Sequence, residues 1–236
     1  MVRTAEGPFR DQADLFGAMM SGPVVVIFAL VAVLLSCLPL HHAVQRRHVA
    51  NTRTRISARQ LVGRHLMRAA AGAWVIFFLH GFVAFAVAFW AWPRFGNPSI
   101  DPLGYGLTPA EAAVDAAARS SYGFLLEGGD LAFGLGYSAW LGAAAAAYGG
   151  LGACLLLLLP QRLLALALPF LIYLGGSIAA AVAAEPHLGL MESLFPFGLT
   201  AAHPAVSAAP TIVVIFTTIA MSAIVVHRAP TNPRLS

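Results

Sequence analysis

Lysine is missing altogether: all 14 basic residues of this 236-residue chain are arginine. A phosphate-binding P-loop uses its lysine to reach the β and γ phosphates, so an ordinary one is excluded. Schiff-base chemistry and lysine general bases go with it. Charge of either sign is scarce, at 10% of residues, whereas a soluble domain carries roughly 25%; 59% of the chain is hydrophobic and its mean hydropathy is +0.77. A chain this poor in charge does not cover a water-facing surface, and it reads as a membrane protein. The chemical motifs are missing too. There is no G-x-S-x-G elbow and no H-E-x-x-H, and no acid lies inside an apolar run. Intramembrane proteolysis, proton relay and ion pumping draw on such acids, so all three are disfavoured, and the expectation is a non-enzyme with no cofactor or metal of its own. The two cysteines, Cys37 and Cys154, both fall in apolar runs and read as small core hydrophobes.

What is present is a series of apolar runs separated by polar or broken segments. We expect one all-α membrane domain with spans at about 22–42, 69–92, 131–159, 163–184 and 210–227. Each run approaches or exceeds the ~20 residues that cross ~30 Å of hydrocarbon. The first twenty residues are mixed in charge, and Glu6, Asp11 and Asp14 argue against a cleavable leader. Between the first two spans lies a loop, 43–68, holding Arg46, Arg47, Arg53, Arg55, Arg59, Arg64 and Arg68 and no acid. Under the positive-inside rule that loop faces the cytoplasm, together with Arg162, Arg228 and Arg234. Every acid, from Glu6 to Glu192, then falls outside. The expected topology is five crossings with the N-terminus outside and the C-terminus cytoplasmic. The net charge of +4 is explained by this placement, so no nucleic-acid partner is invoked.

The outer segments are expected at 93–130 and 185–209. In the first, Thr108-Pro109-Ala110-Glu111 is a capping box with proline at the first helical position and should start an amphipathic helix. The second contains Pro186, Pro196 and Pro204 among apolar residues and reads as a broken, partly embedded hairpin. In the third span Gly134, Ser138, Gly142, Ala146 and Gly150 recur every fourth residue, a small-residue stripe that admits a close helix neighbour or lines a pathway. That run is long for one crossing, and Gly149, Gly150 and Gly152 are the expected places for a break. His80 stands near the middle of the second span, where an ionisable group is a functional candidate. Its ordinary alternative is a neutral imidazole bonded across the bundle to Ser138 or Tyr137.

The run from Asp14 through Trp92 resembles the second and third membrane helices of the bacterial type-2 ATP-binding-cassette (ABC) exporter permeases, with RTRISARQLVGRHL as the basic cytoplasmic segment between them. GLGYSAWLGAAAAAYGGLG followed by PQRLLALALPFLIY is similar to that family's small-residue helix, short turn and proline-containing helix. The family usually has six spanning helices; the element without a counterpart here is the first. The resemblance implies a multi-pass permease subunit of an exporter in the bacterial cytoplasmic (inner) membrane. It would be paired with a second permease copy or paralogue and energised by a separate ATPase chain that carries ATP and magnesium. Carried over by position, the ATPase contact is Arg55, Ser57, Arg59, Gln60, Leu61 and Arg64. The competing role for these arginines is binding lipid headgroups. Competing functions are a membrane-embedded haem or redox subunit using His80, and a structural or assembly protein that transports nothing.

Overall fold

A computed structural model of the chain describes residues 9–45, 57–198 and 202–231. These residues form helices and turns, with one isolated parallel bridge between Phe9 and Ile100. The α-helices among the described residues are α1 (Gln12–Met20), α2 (Val24–Gln45), α3 (Ala58–Phe85), α4 (Pro109–Arg119), α5 (Gly123–Glu127), α6 (Asp130–Leu158), α7 (Arg162–Val182) and α8 (Pro204–Arg228). Four of them, α3, α6, α7 and α8, are long and apolar enough to cross a membrane. The bent pair of α1 and α2, which meet at 57°, makes a fifth candidate. A multi-pass all-helical membrane protein is therefore what the described residues form.

The central element is α6. In it 83% of the most apolar stretch is buried, against 22% to 28% in the other three single-helix spans. α2, α3, α7 and α8 all pack on it. Contacts fix the directions: Phe85, Gly81 and Trp74 of α3 meet Gly134, Ser138 and Gly142 of α6 in reverse order, so α3 is antiparallel to α6. Phe16 of α1 meets Phe133 and Tyr137, Phe28 of α2 meets Tyr148 and Val33 meets Gly152, while Thr218 and Ser222 of α8 meet Ala147 and Cys154, so α2 and α8 run with it. The bundle thus has two chemically distinct ends. The nine described acids (Asp11, Asp14, Asp101, Glu111, Asp115, Glu127, Asp130, Glu185 and Glu192) collect where α6 begins. Arg59, Arg64, Arg68, Arg162 and Arg228 collect where it ends.

The helix boundaries depart from the expected spans in four places, each for a local reason. First, α1 takes up residues that read as an outer polar tail. Asp11 caps it by accepting a hydrogen bond from the Asp14 N–H at 2.9 Å, and Leu15, Phe16 and Met20 are buried. Second, α3 starts at Ala58, well before the expected span at 69. Ser57 caps it, accepting from the Gln60 N–H at 3.3 Å, and the arginines that read as loop continue the helix, as good helix formers do. Its 28 residues are about 42 Å long at 1.5 Å per residue, roughly 12 Å more than the hydrocarbon thickness. A π turn (Ala86–Ala91) and a 3₁₀ turn (Trp92–Phe95) finish the span.

Third, α6 is unbroken through Gly149, Gly150 and Gly152. These glycines are contact points and not breaks: a Cβ on them would sit 2.2 Å from Ser36 Oγ, 2.9 Å from Thr218 Cγ2 and 2.8 Å from Val33 Cγ1. Fourth, α8 begins at Pro204, six residues before the expected Pro210, because His203 caps it and Pro204 fits the first turn, where no intrahelical N–H bond is needed. Pro210 is carried inside it. The expected capping box is present, with Thr108 and Glu111 bonded reciprocally. α4 buries Ala112 and Ala116 and leaves Val114 exposed.

Candidate functional site

At the arginine-rich end, the first turns of α3 carry the residues expected to receive a partner. Arg59, Gln60 and Arg64 are exposed, as is Ser57 at the cap. Leu61 is 9% exposed, and its neighbours Val62 and Leu66 belong to the core. The apolar side chains of this segment are therefore buried, and Leu61 does not contribute to the outward surface. The outward surface is polar and cationic and continues to Arg68, with apolar Met67 exposed beside it. Arg55 lies outside the described residues.

The stripe on α6 is a seam and leaves no open path along itself. A Cβ at Gly134 would fall 2.4 Å from Cδ1 of Phe85, and one at Gly142 would fall 2.9 Å from the Trp74 carbonyl oxygen. Ser138 is fully buried opposite Gly81. Gly150 turns to α8 instead, where Thr218 donates to the Ala147 carbonyl at 3.1 Å. Ala146 is half-buried. Such close approach is how helices associate where lipid removes the hydrophobic drive.

His80 is not bonded across the bundle. It sits exposed on α3, and its one ring contact among the described residues is the edge of Phe77, with centroids 6.5 Å apart. Its suggested partners are otherwise engaged or distant: Tyr137 donates to the Leu194 carbonyl at 2.5 Å, and Ser138 Oγ has no partner. The imidazole therefore points away from the other helices, and a haem ligand pair inside the bundle does not form around it.

The acid-rich end holds an arrangement that the sequence reading missed. Arg119 of α4 binds three carboxylates: Asp11 at 2.6 Å, Asp14 at 2.8 Å and Asp115 at 2.6 Å. Arg10 adds a bond to Asp115 at 3.1 Å and lies over the Tyr105 ring at 4.9 Å. The Asp101 N–H donates to the Phe9 carbonyl at 2.8 Å. The N-terminal segment is thus clamped onto the outer face of α4. Burial pushes the Asp11 carboxyl up, and the Asp14 N–H and Arg119 offset this only in part. For Asp115 burial acts the same way, but its bonds to Arg119 and Arg10 outweigh it and hold the carboxyl below its ordinary range. The Asp115–Arg119 and Arg10–Asp14 pairs, each four apart in sequence, were legible as local signals.

The broken segment between α7 and α8 is docked by aromatic hydroxyls and an indole. Tyr122 donates to the Ser193 carbonyl at 2.6 Å, Trp140 donates to the same oxygen at 3.3 Å, and Tyr137 reaches Leu194. Ser193 also shares a hydrogen bond with Thr211. These bonds satisfy carbonyls of that segment where water is excluded. No family model matches the chain, and neither the curated proteins nor the solved structures searched include a match.

Proposed function

We propose that the chain is the membrane-spanning permease subunit of an ATP-driven exporter, lodged in the bacterial cytoplasmic membrane and energised by a separate ATPase. One observation carries the reading: α3 projects beyond the hydrocarbon with Arg59, Gln60 and Arg64 exposed, on a helix continuous with a membrane span. A soluble partner that moves this cationic stub moves the span itself. The seam transmits the motion, since Phe85, Gly81 and Trp74 of α3 press on α6 at 2.4 to 3.1 Å from where its Cβ atoms or theirs would stand. Two further features support it. A chain without lysine carries no ordinary P-loop, which fits an ATPase on another subunit, and the concentration of arginine at one end fits a cytoplasmic face for that end.

The test is co-purification from native membranes. An ABC-type ATPase is expected with the wild-type chain and is lost on combining Arg59→Glu with Arg64→Glu, while membrane insertion is kept. Retention of the ATPase by that variant, or a wild-type preparation free of any ATPase, refutes the reading. Leu61→Asp is not a docking test, because the buried side chain would unfold the end of the helix.

A further inference from the structure

We propose that the cleft at the acid-rich end, between the N-terminal segment, α4 and the start of α6, binds a small organic cation: an ammonium group carried on an apolar body. The cleft has a volume of about 310 Å³, at the small end of the range for ligand sites. Phe89, Ile100, Leu126, Pro102 and Pro109 give it an apolar wall. Phe89 is held by Phe85 and Phe133, at 5.0 and 5.8 Å between ring centroids, so this wall is fixed before any ligand arrives.

The sign of the ligand follows from the charges that share the cleft. Arg10, Asp11 and Asp130 line it, and two of the three are already answered. Arg10 bonds Asp115, and its Nε, which makes no hydrogen bond, lies 3.8 Å from Asp14. Both oxygens of Asp11 are taken, one by the Asp14 N–H and the other by Arg119. Asp130 is exposed and has no ion pair with any described residue. An acid in the first turn of α6 also complements the helix dipole, but that role makes no use of the apolar wall.

A second polar group on the wall lacks a partner. The Asn97 side-chain oxygen is buried and accepts no hydrogen bond, a costly state until a donor reaches it. Asn97 stands at a φ of 51°, a left-handed conformation that asparagine tolerates better than most residues. An ammonium has three donors and no acceptor, so one such group answers the Asp130 carboxylate and the Asn97 oxygen together. An anion in the same place would meet two carboxylates. The wider field has the same sign: the described charges of this end are nine acids against Arg10, Arg94 and Arg119, an excess that draws cations in. This inference goes beyond the exporter reading and does not rest on it.

The experiment is isothermal titration of the full chain in phosphatidylcholine nanodiscs, whose lipid carries no net charge. Phenethylamine is the probe, with phenethyl alcohol as its neutral counterpart and phenylacetate as the anion. The amine is expected to saturate one site per chain. The alcohol and the anion should bind about ten- to hundredfold more weakly, the worth of a hydrogen bond to a charged group. That comparison uses the unsubstituted chain and depends on no variant's folding. Asp130→Asn should weaken the amine by the same factor, and Asn97→Gly, which keeps the turn, by about three- to tenfold. Ala113→Trp, at an exposed position of α4 that lines the cleft, should block binding. Glu127→Gln removes an exposed acid that does not line the cleft and should change nothing. An alcohol or anion that binds as tightly as the amine, an Asp130→Asn chain of unchanged affinity, a Glu127→Gln loss equal to that of Asp130→Asn, or no saturable binding overturns the proposal. Absence of the ATPase in the co-purification test leaves this result unaffected, so the two failures are distinguishable.

Discussion

Gly134→Ala tests the α3–α6 seam at its tightest point. The new Cβ would lie 2.4, 2.5 and 2.6 Å from three ring atoms of Phe85, where carbon atoms rest at about 3.5–4.0 Å. The ring must retreat by roughly 1 Å from that contact, and it has nowhere to go. Phe85 is fully buried, with Phe89 at 5.0 Å, Trp90 at 5.1 Å and Phe82 at 5.8 Å between centroids. Overpacking costs about 1–3 kcal/mol, and a clash of three atoms with an immobile ring belongs at the upper end. Alanine returns up to about 1 kcal/mol of helix propensity, leaving a net loss of about 1–2 kcal/mol. The assay is reversible unfolding by SDS titration in mixed micelles. Phe85→Leu in the same chain should relieve the clash, with a coupling of at least about 0.5 kcal/mol in a double-mutant cycle. Gly63→Ala and Gly175→Ala, whose Cβ atoms would meet nothing within 4 Å, should cost nothing. A Gly134→Ala chain as stable as wild type, or one uncoupled from Phe85→Leu, would refute the seam as drawn.

Four further outcomes are expected. Tyr137→Phe strands the Leu194 carbonyl and should cost about 1–3 kcal/mol, with faster hydrogen exchange across 190–198 as the local readout. Arg119→Gln leaves buried Asp11 without its cation. It should cost about 2 kcal/mol, below the 3–5 kcal/mol of a fully buried pair because Arg119 is partly exposed, and limited proteolysis should then release the segment before α1. Asp115 is held below its ordinary value of 3.8, so its contribution is complete above that value and is lost as pH falls beneath it. Asp115→Asn should therefore flatten the acid limb of a thermal-midpoint profile below about pH 4. Asp11, raised above 3.8 mainly by burial, acts with the opposite sign: ionising it costs stability as pH rises past 3.8, and Asp11→Asn should make the acid limb steeper.

The spans were legible because an apolar run of the right length has few alternatives, and the capping box because Thr108, Pro109 and Glu111 state its chemistry locally. Errors arose where one residue type serves two structures. Arginines in 57–68 read as loop, yet Arg59, Arg64 and Arg68 extend α3 because a long unbranched side chain costs a helix little. Glycines at 149, 150 and 152 read as breaks, yet they are the points where α2 and α8 touch α6. Leu61 read as part of a docking face because the helix face it occupies depends on a neighbour far away in sequence. α1 was hidden by the charged residues around its start: contact with Phe133, Tyr137 and Phe197 around Phe16 makes it a core element. The clamp on Arg119 joins residues 105 and 108 apart, a separation that no local pattern spans.

The burial of α6 bears on how the chain is made. It is the most enclosed of the four single-helix spans and also the least apolar of them, with much of its length given to glycine and alanine. A segment of that kind has the weakest claim on lipid by itself. Synthesis delivers α2 and α3 before it, and these supply Ser36, Phe85 and Trp74, the surfaces its glycines need. α6 therefore enters the bilayer as a guest of helices already there. A substitution that spoils their surfaces should appear as failed insertion of α6 at the translocon, before the finished bundle exists to be unstable.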